Sequence, residues 1–413
     1  MRRTLLIALA CLGWLIAPIP SHAESVAPAV VATDARLAGD LQRTRFIVDL
    51  SHSVEPSAFL LAEPARVVIE LPHMGFSIAP DLGRAGRGLV SAFRFGVVAN
   101  GKSRIVLDLA RPAVIDQIFV LEPVDDQPAR LVLDLIGTDD TAFRAVIASQ
   151  PPRVAPPPAE PAGEGAANAG LPLVVIDPGH GGIDSGAVTA NGDQEKAIVL
   201  EFAQTLAAKL TQSGRYSVLL TRSDDTFVSL SDRVRIARDA KAALFLSIHA
   251  DTLSDPFGVR GATIYTLSEK ASDADAERYA EKENRSDAIA GVDLTAEPDE
   301  VADILIDLTR RETKTFSTRF ARQLVDEFRA AATLNKNPLR SAGFRVLRAA
   351  DVPSVLLELG YLSNAQDAKL LLSPEWRDRT TDAVVRAVDA FFTARAGVAV
   401  TPALGEDVLR SAN

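Results

Sequence analysis

A stretch rich in proline, alanine and glycine divides this chain and limits what it can fold into. Residues 150–170 read QPPRVAPPPAEPAGEGAANAG and contain almost no large apolar side chain. Such a composition cannot bury enough apolar surface to fold, so we expect residues 138–170 to form an extended, semi-rigid linker. With 413 residues the chain is also too long for one compact core. The sequence therefore predicts two domains joined by this linker.

Residues 28–137 contain one short phrase four times. An arginine opens each phrase and an acidic residue precedes its final leucine. The copies are RFIVDL from Arg45, RVVIEL from Arg66, RIVLDL from Arg104 and RLVLDL from Arg130. Apolar and polar positions alternate imperfectly, and proline and glycine separate the runs. We expect an all-β sandwich of antiparallel strands, in which the arginine and acidic side chains form cross-strand surface pairs.

From Leu171 to residue 396, strand-like and helix-like runs alternate along the chain. Apolar runs such as LPLVVID and ALFLSIHA predict strands, whereas runs such as SLSDRVRIARDAKA predict helices. This alternation predicts an α/β domain in which a mostly parallel sheet carries helices on both faces. Ligands in such folds gather outside the carboxyl ends of the strands, so residues that follow strands are candidates for function.

The two ends of the chain predict export and a flexible tail. Residues 1–23 carry two arginines, an apolar run and a small-residue ending, which is typical of a cleaved secretory signal peptide. The apolar run is shorter than the roughly 20 residues that span a bilayer, and we expect no transmembrane segment in the mature chain. The Arg2-Arg3 pair leaves the Sec and twin-arginine export routes both open. We expect residues 397–413 to be the tail.

Charge and cysteine content exclude two kinds of site. Removal of Arg2 and Arg3 with the signal peptide takes the net charge from −10 to about −12. An acidic surface does not favour phosphate backbones, so we expect no nucleic acid partner. Cys11, inside the signal peptide, is the only cysteine. The mature chain can therefore form neither a disulfide nor a thiolate metal site, and any metal must be held by His, Asp or Glu.

Four ionisable side chains stand at predicted strand ends or at a helix start. His180 follows VVID, His249 ends LFLSIH, Glu358 ends the last strand, and Glu195 opens the first helix after residue 171. Two imidazoles and a carboxylate can hold zinc and leave a position for water, while a second carboxylate moves protons. The structural alternatives are a tight glycine turn at His180 and a favourable helix N-terminus at Glu195. Asp177 is a candidate either to orient His180 or to support the strand end.

Five stretches of the second half follow one another in a recognisable order and spacing. They are VVIDPGHGGIDSGA, EKAIVLEFA, TRSDD, LFLSIHAD and VPSVLLELGYLSN. Together they resemble the zinc-dependent N-acetylmuramoyl-L-alanine amidases of the third amidase family, periplasmic enzymes that split septal peptidoglycan during cell separation. The resemblance covers residues 171–394. The repeated strands before the linker look like the AMIN domain that precedes the catalytic domain in these enzymes.

The resemblance implies a role for each of the four side chains. His180, Glu195 and His249 would hold one Zn²⁺ per catalytic domain, and Glu358 would act as general base and then as general acid. The bond cut would be the amide between the lactyl group of N-acetylmuramic acid and the L-alanine of the peptidoglycan stem peptide. The implied partner is peptidoglycan and the implied location is the periplasm at the septum, and we expect a monomer.

Residues 268–311 form an acidic stretch that is longer than a crossover between strands requires. In related cell-separation amidases a helix here covers the zinc until an activator protein displaces it. The resemblance implies the same self-inhibition in this chain. Glu283 is the first choice for the acid that fills the open coordination position, with Asp287 and Glu300 behind it. The alternative is a solvated acidic helix.

Two other functions stay open from the sequence. A zinc peptidase acting on the stem peptide would use the same metal chemistry and would differ only in its products. A non-catalytic wall-binding protein belongs to a different class. The complete set of His180, Glu195, His249 and Glu358 disfavours that class, because a degenerate relative would be expected to lose ligands.

Overall fold

The computed structural model of the chain describes residues 30–79, 81–151, 159, 170–252, 260–293 and 304–399. The predicted signal peptide, most of the predicted linker and Glu300 lie outside these residues. So does the predicted tail, except that the last helix continues to Ala399. Among the helices that the structure describes, none is both long and apolar enough to cross a membrane.

The N-terminal part of the described chain consists of β-strands. The strands are β1 (Val31–Gly39), β2 (Arg43–Leu50), β3 (Ser57–Leu61), β4 (Arg66–Pro72), β5 (Gly75–Phe76), β6 (Val90–Val98), β7 (Lys102–Leu109), β8 (Ala113–Leu121) and β9 (Ala129–Gly137). In β2 every second side chain is buried, from Thr44 to Leu50. This is the period that a strand with one core-facing side requires.

These strands form two sheets around one core, which we call the β region (residues 30–137). The strand orders are β5-β1-β2-β9-β8 and β3-β4-β7-β6. Neighbouring strands are antiparallel except for the short β1–β5 pair. Phe46 of the first sheet meets Phe93 of the second edge to face, with ring centres 5.0 Å apart, inside a shared apolar cluster. The prediction of an all-β N-terminal region is confirmed.

Two arginines of the repeated phrase pair with acids across the strands. Arg45 on β2 donates to Asp134 on β9 through bonds of 2.6 and 2.7 Å. Arg104 on β7 donates to Glu70 on β4 through bonds of 3.1 and 2.6 Å. The predicted pairing across the strands is therefore confirmed in these phrases, but its placement on the surface is wrong, because Asp134 and Arg104 are buried. Arg66 differs, because it is buried and donates to backbone carbonyl groups.

The start of the predicted linker is wrong, because residues 140–149 form helix α1 (Asp140–Ser149). The Asp139 side chain accepts a hydrogen bond from the Ala142 amide and so caps the first turn. Phe143 is 2% exposed and packs into the core of the β region. The Phe143 side chain thus holds residues 140–149 against the β region, although the composition of this segment is typical of a linker.

The C-terminal part, which we call the α/β region (residues 170–399), alternates strands and helices. Its strands are β10 (Leu173–Pro178), β11 (Ser217–Leu220), β12 (Leu244–His249), β13 (Ala262–Leu267), β14 (Leu334–Ala342) and β15 (Ser354–Glu358). Its helices are α2 (Glu195–Gln212), α3 (Leu230–Asp239), α4 (Ala274–Glu283), α5 (Ser286–Ile289), α6 (Ile304–Ala331), α7 (Ala365–Leu371) and α8 (Pro374–Ala399).

These strands form one mixed sheet in the order β11-β10-β12-β15-β13-β14. Neighbours are parallel except β13 and β15, which are antiparallel. Val174 and Ile176 belong to the apolar cluster with α2, α6 and α8, whereas Val175 between them belongs to the cluster with α3 and α4. Helices therefore cover both faces, and the carboxyl ends of β10, β12 and β15 lie together at one edge.

Candidate metal centre

Three of the four predicted residues lie at this carboxyl edge. His180 follows β10, His249 is the last residue of β12, and Glu358 is the last residue of β15. Strand β12 lies between β10 and β15 and runs parallel to both. His249 and Glu358 are direct register partners. The fourth residue, Glu195, begins α2 after the glycine-rich loop.

His180, Glu195 and His249 form one buried cluster. Glu195 Oε1 lies 3.2 Å from His180 Nε2 and 3.3 Å from His249 Nδ1. One ligand atom from each residue can be chosen so that all three lie within 4.8 Å of one another. Neither ring nitrogen makes a hydrogen bond with any residue that the structure describes. Buried unbonded nitrogens are costly unless a ligand completes them, and this donor set fits a zinc ion.

Glu195 is held in its charged form. Its Oε2 accepts a hydrogen bond from the Ala187 amide and its Oε1 accepts one from the Ala250 amide, both 2.8 Å long. Burial opposes ionisation, but the neighbouring His180 and His249 outweigh it and hold the pKa of Glu195 well below its usual range. The carboxylate is therefore available as an anionic ligand.

Asp184 orients His180, which the sequence did not reveal. The Asp184 carboxylate lies 2.9 Å from His180 Nδ1, so that the Nδ1 proton is held there and Nε2 faces the cluster. A tight turn brings Asp184 close to His180, because the backbone groups of Gly181 and Asp184 are hydrogen-bonded to each other. The spacing His-Gly-Gly-Ile-Asp after a strand was the available signal.

Asp177 does not contact the His180 ring, so its prediction as the residue that orients His180 is wrong. Its buried carboxylate instead accepts hydrogen bonds from Thr221 at 2.6 Å, Ser247 at 2.7 Å and Arg233 at 2.7 Å. Arg233 also donates to the His180 carbonyl oxygen at 2.6 Å. Asp177 therefore supports the backbone of the loop. Its partners come from β12, from α3 and from the residue after β11, so the continuous apolar run of β10 could not reveal them.

Glycines leave room for the two imidazoles and for Glu195. A Cβ atom at Gly179 would lie 2.5 Å from the His249 ring, and one at Gly186 would lie 2.6 Å from Glu195 Oε2 and 2.7 Å from the His180 ring. Gly186 also has a positive φ of 63°, a conformation that favours glycine. The loop GHGGIDSGA is therefore shaped by the close approach of the ligand side chains.

Glu358 lies beside this cluster as a buried carboxyl group. Its Oε1 accepts a 2.7 Å hydrogen bond from the Asp251 amide, and its Oε2 accepts one from the Tyr279 hydroxyl. Burial, together with the charges of Glu195 and Asp251, raises the pKa of Glu358 well above its usual range. Such a carboxyl group readily takes up and releases a proton.

Helix α4 covers the cluster. Glu283, its last residue, places Oε2 3.2 Å from His249 Nδ1 and 3.6 Å from His180 Nε2. Tyr279, one turn earlier, donates to Glu358. We call residues 274–292, which comprise α4, α5 and the following turn, the cover segment. The structure thus brings Glu283 beside the two imidazoles. It adds Tyr279, which no sequence motif marks.

The second candidate for the plugging acid lies elsewhere. Asp287 is buried and accepts a 2.9 Å hydrogen bond from the Leu230 amide at the start of α3. A carboxylate stabilises a helix N-terminus in this way.

Lys282 of the cover segment forms an ion pair with Asp251, two residues after His249. The cover segment is therefore bound to the rim of the cluster as well as to its centre.

Comparisons with known proteins show the family to which the chain belongs. The family model described as N-acetylmuramoyl-L-alanine amidase matches residues 174–390. AmiC of Neisseria meningitidis serogroup B, an N-acetylmuramoyl-L-alanine amidase, is 30% identical over 394 residues, which cover 92% of this chain and 94% of the relative. The amidase AmiA of Escherichia coli K12 is 37% identical over 224 residues, which cover 54% of this chain and 77% of the relative.

A solved structure is also similar. The N-acetylmuramoyl-L-alanine amidase AmiC2 of Nostoc punctiforme has 27% sequence identity and a TM-score of 0.39, over 55% of this chain and 99% of that one. The family model spans just over half of the chain, and the Neisseria relative matches along almost all of it. The chain therefore belongs to the N-acetylmuramoyl-L-alanine amidase family and is a hydrolase.

Proposed function

We propose that this amidase uses one zinc ion to hydrolyse the amide between the lactyl group of N-acetylmuramic acid and the L-alanine of the peptidoglycan stem peptide. The observation that carries the proposal is the buried cluster of His180, Glu195 and His249. Two ring nitrogens there face one carboxylate oxygen without a hydrogen bond among the described residues. Membership of the amidase family supplies the class of bond.

The three cluster residues would hold the zinc ion. Asp184 keeps the proton of His180 on Nδ1, so the Nε2 lone pair is free to bind a metal. The Ala187 and Ala250 amides keep Glu195 ionised and fixed. When bound, zinc would act as a Lewis acid that polarises the substrate carbonyl and acidifies a water molecule.

Glu358 would move the proton. It would accept a proton from the attacking water and donate it to the alanine nitrogen as the carbon–nitrogen bond breaks. Its place as the register partner of His249 puts it beside the cluster. The Asp251 amide fixes one oxygen, which leaves the other for this exchange once Tyr279 has moved away.

The cover segment would keep the enzyme inactive. Glu283 occupies the space in front of the two ring nitrogens, where it would be a further zinc ligand. Tyr279 binds the carboxylate that we assign to proton transfer. An activator protein of the cell-division machinery would displace the cover segment and so expose both groups.

We also infer where the enzyme acts. Residues 1–23 would export the chain to the periplasm, by the Sec or the twin-arginine route. The β region would correspond to an AMIN domain and direct a monomer to septal peptidoglycan during daughter-cell separation. The catalytic domain would span residues 171–396, and the linker would begin only after α1.

Product analysis tests the reaction. Zinc-loaded protein carrying Glu283→Ala should digest purified sacculi to intact stem peptides with a free L-alanine amino group and to peptide-free glycan. Chelation should stop the reaction, and added zinc should restore it. Shorter peptides, with L-alanine still attached to muramic acid, would instead indicate a zinc peptidase. Sacculi left intact by the zinc-loaded variant would favour a non-catalytic wall-binding protein.

A matched pair of variants on α4 tests the inhibition. Glu283→Ala should raise the basal rate of the full chain about tenfold or more, because the closed state loses its contact with the cluster. Glu281→Ala removes the same charge from an exposed position on the same helix and should leave the rate unchanged. Equal rates for the two variants would contradict inhibition by the cover segment.

A further inference from the structure

We propose that the β region stabilises the inhibited position of the cover segment through three arginines of its four-stranded sheet. The inference rests on the proposed inhibition by Glu283. It gives the β region a second role, which is to bias the equilibrium between covered and open sites. The arginine phrases, which the amidase reaction does not require, supply most of this contact.

The guanidinium groups donate to backbone carbonyls at the end of α5 and in the turn after it. We call these hydrogen bonds the arginine contact. They join Arg66 to Ala288, Arg94 to Ile289 (2.6 Å) and Arg104 to Ala290 (3.2 Å). The last carbonyls of a helix have no partner within the helix and carry partial negative charge. Hydrogen bonds from cations to these oxygens are stronger than those from neutral donors. The arginine contact therefore stabilises the cover segment in its position over the cluster.

Acids within the β region hold two of the arginines in place. Arg94 is bound by Asp108 through bonds of 2.6 and 2.9 Å, and Arg104 is bound by Glu70. Burial, with the nearby positive charge of Arg94, lowers the pKa of Arg66 to about 10, which leaves it protonated at neutral pH. The donors are therefore preorganised and lose little freedom when the cover segment docks.

Apolar packing surrounds the arginine contact. A buried cluster joins the two regions and contains Leu61, Val68, Val98, Val106, Ile183, Phe227 and Ala290. Gly291 lies so close that a Cβ atom there would be 2.8 Å from Val68 Cγ2 and 3.0 Å from Val106 Cγ2. Its φ of +71° also favours glycine. The turn after α5 therefore fits the sheet only when residue 291 has no side chain.

The docked turn is directly connected to the metal centre. Ser286, the first residue of α5, donates a 2.5 Å hydrogen bond to Asp184, the residue that orients His180. Glu283 lies only three residues before Ser286. A shift of the turn away from the sheet must therefore disturb the contacts of Ser286 and Glu283, because so short a segment cannot absorb it.

A separate backbone contact keeps the two regions together. The Ala99 amide donates to the Phe227 carbonyl at 2.9 Å, and the Phe227 amide donates to the Val97 carbonyl at 3.2 Å. None of the three arginines takes part in it. Substitution of the arginines should therefore release the cover segment while the β region stays docked.

The test uses the full-length, zinc-loaded protein with Arg94→Gln and Arg104→Gln combined. We expect the basal hydrolysis of sacculi to rise about tenfold, since two charge-assisted hydrogen bonds are lost from the closed state only. Hydrogen–deuterium exchange of residues 284–292 should rise with it. Arg45→Gln, at the equivalent phrase position in the other sheet, should change neither quantity, because its partner Asp134 lies within the β region.

Two further variants separate this effect from misfolding and from failure of the inhibition itself. Gly291→Ala leaves the sequence of the β region unchanged, but its Cβ atom would clash with Val68 and Val106 and push the docked turn away from the sheet. It should therefore raise both the basal rate and the hydrogen–deuterium exchange, as the arginine substitutions do. In the Glu283→Ala background, Arg94→Gln and Arg104→Gln combined should raise the basal rate little further. If Glu283→Ala raises the rate but the arginine pair and Gly291→Ala change neither rate nor exchange, the arginine contact has no regulatory role. If Glu283→Ala itself has no effect, the inhibition and this inference are both wrong.

Discussion

Two sets of buried polar side chains, one in each region of the molecule, differ in how their atoms are satisfied. In the β region, the buried Asp134 carboxylate meets the opposite charge of Arg45 across the strands. In the α/β region, His180 and His249 face Glu195 with nitrogens that lack hydrogen bonds among the described residues. Satisfied pairs stabilise a fold, whereas unsatisfied buried polar atoms mark a place that a ligand completes.

Removal of one imidazole should give the largest effect. His249→Ala takes away one of the three residues that we propose hold zinc. Zinc content should therefore fall well below one ion per chain, and activity should fall about 10⁴-fold. Metal analysis and sacculus digestion in the Glu283→Ala background measure both. His73→Ala, at an exposed position of the β region, is the matched control. Full zinc content in His249→Ala would contradict the assigned cluster.

Glu358→Gln should separate metal binding from proton transfer. The amide keeps the shape of the side chain but cannot accept the proton, so activity should fall about 10³-fold in the Glu283→Ala background. Zinc content should stay near that of the parent protein. A loss of zinc that matches the loss of activity would make Glu358 a metal-binding residue instead.

Asp184→Asn should have an intermediate effect, because it acts through His180. Without the carboxylate on Nδ1, zinc affinity should fall about 10- to 100-fold, as measured by competition with a chelator. At saturating zinc the activity should largely return. Asp224→Asn, at an exposed position, should bind zinc like the parent protein. Unchanged affinity in Asp184→Asn would mean that the 2.9 Å contact does not orient the ring.

Arg45→Gln should have the smallest effect and should leave zinc binding unchanged. The hydrogen bonds from Arg45 hold the pKa of Asp134 at about 2, below its ordinary value of 3.8. A lowered pKa contributes stability that is present above the ordinary value and is lost as the pH falls toward 2. Arg45 is half exposed, so denaturation at pH 7 should show a loss of only about 1 kcal/mol. The difference from the parent protein should shrink below pH 4, and a constant difference would contradict this assignment.

The sequence predicted the type of secondary structure in the repeated strands well, but it predicted the start of the linker badly. The repeated phrases predicted the all-β part because short β-rich runs separated by proline and glycine are a local property of the sequence, although only β2 buries every second side chain. The sequence predicts a linker over residues 140–149 because nothing local shows that Phe143 meets an apolar core. Tertiary packing, which a composition average omits, decides such cases.

The sequence by itself determined which side chains meet at the candidate metal centre. His180 follows a strand, and His249 and Glu358 each end one. The carboxyl ends of neighbouring parallel strands lie together at one edge of the sheet. Only the tertiary structure decided that Asp184, and not Asp177, holds His180, and that the arginines of one sheet reach the cover segment. Those contacts depend on side-chain direction and on docking between segments up to roughly 200 residues apart, which no local pattern encodes.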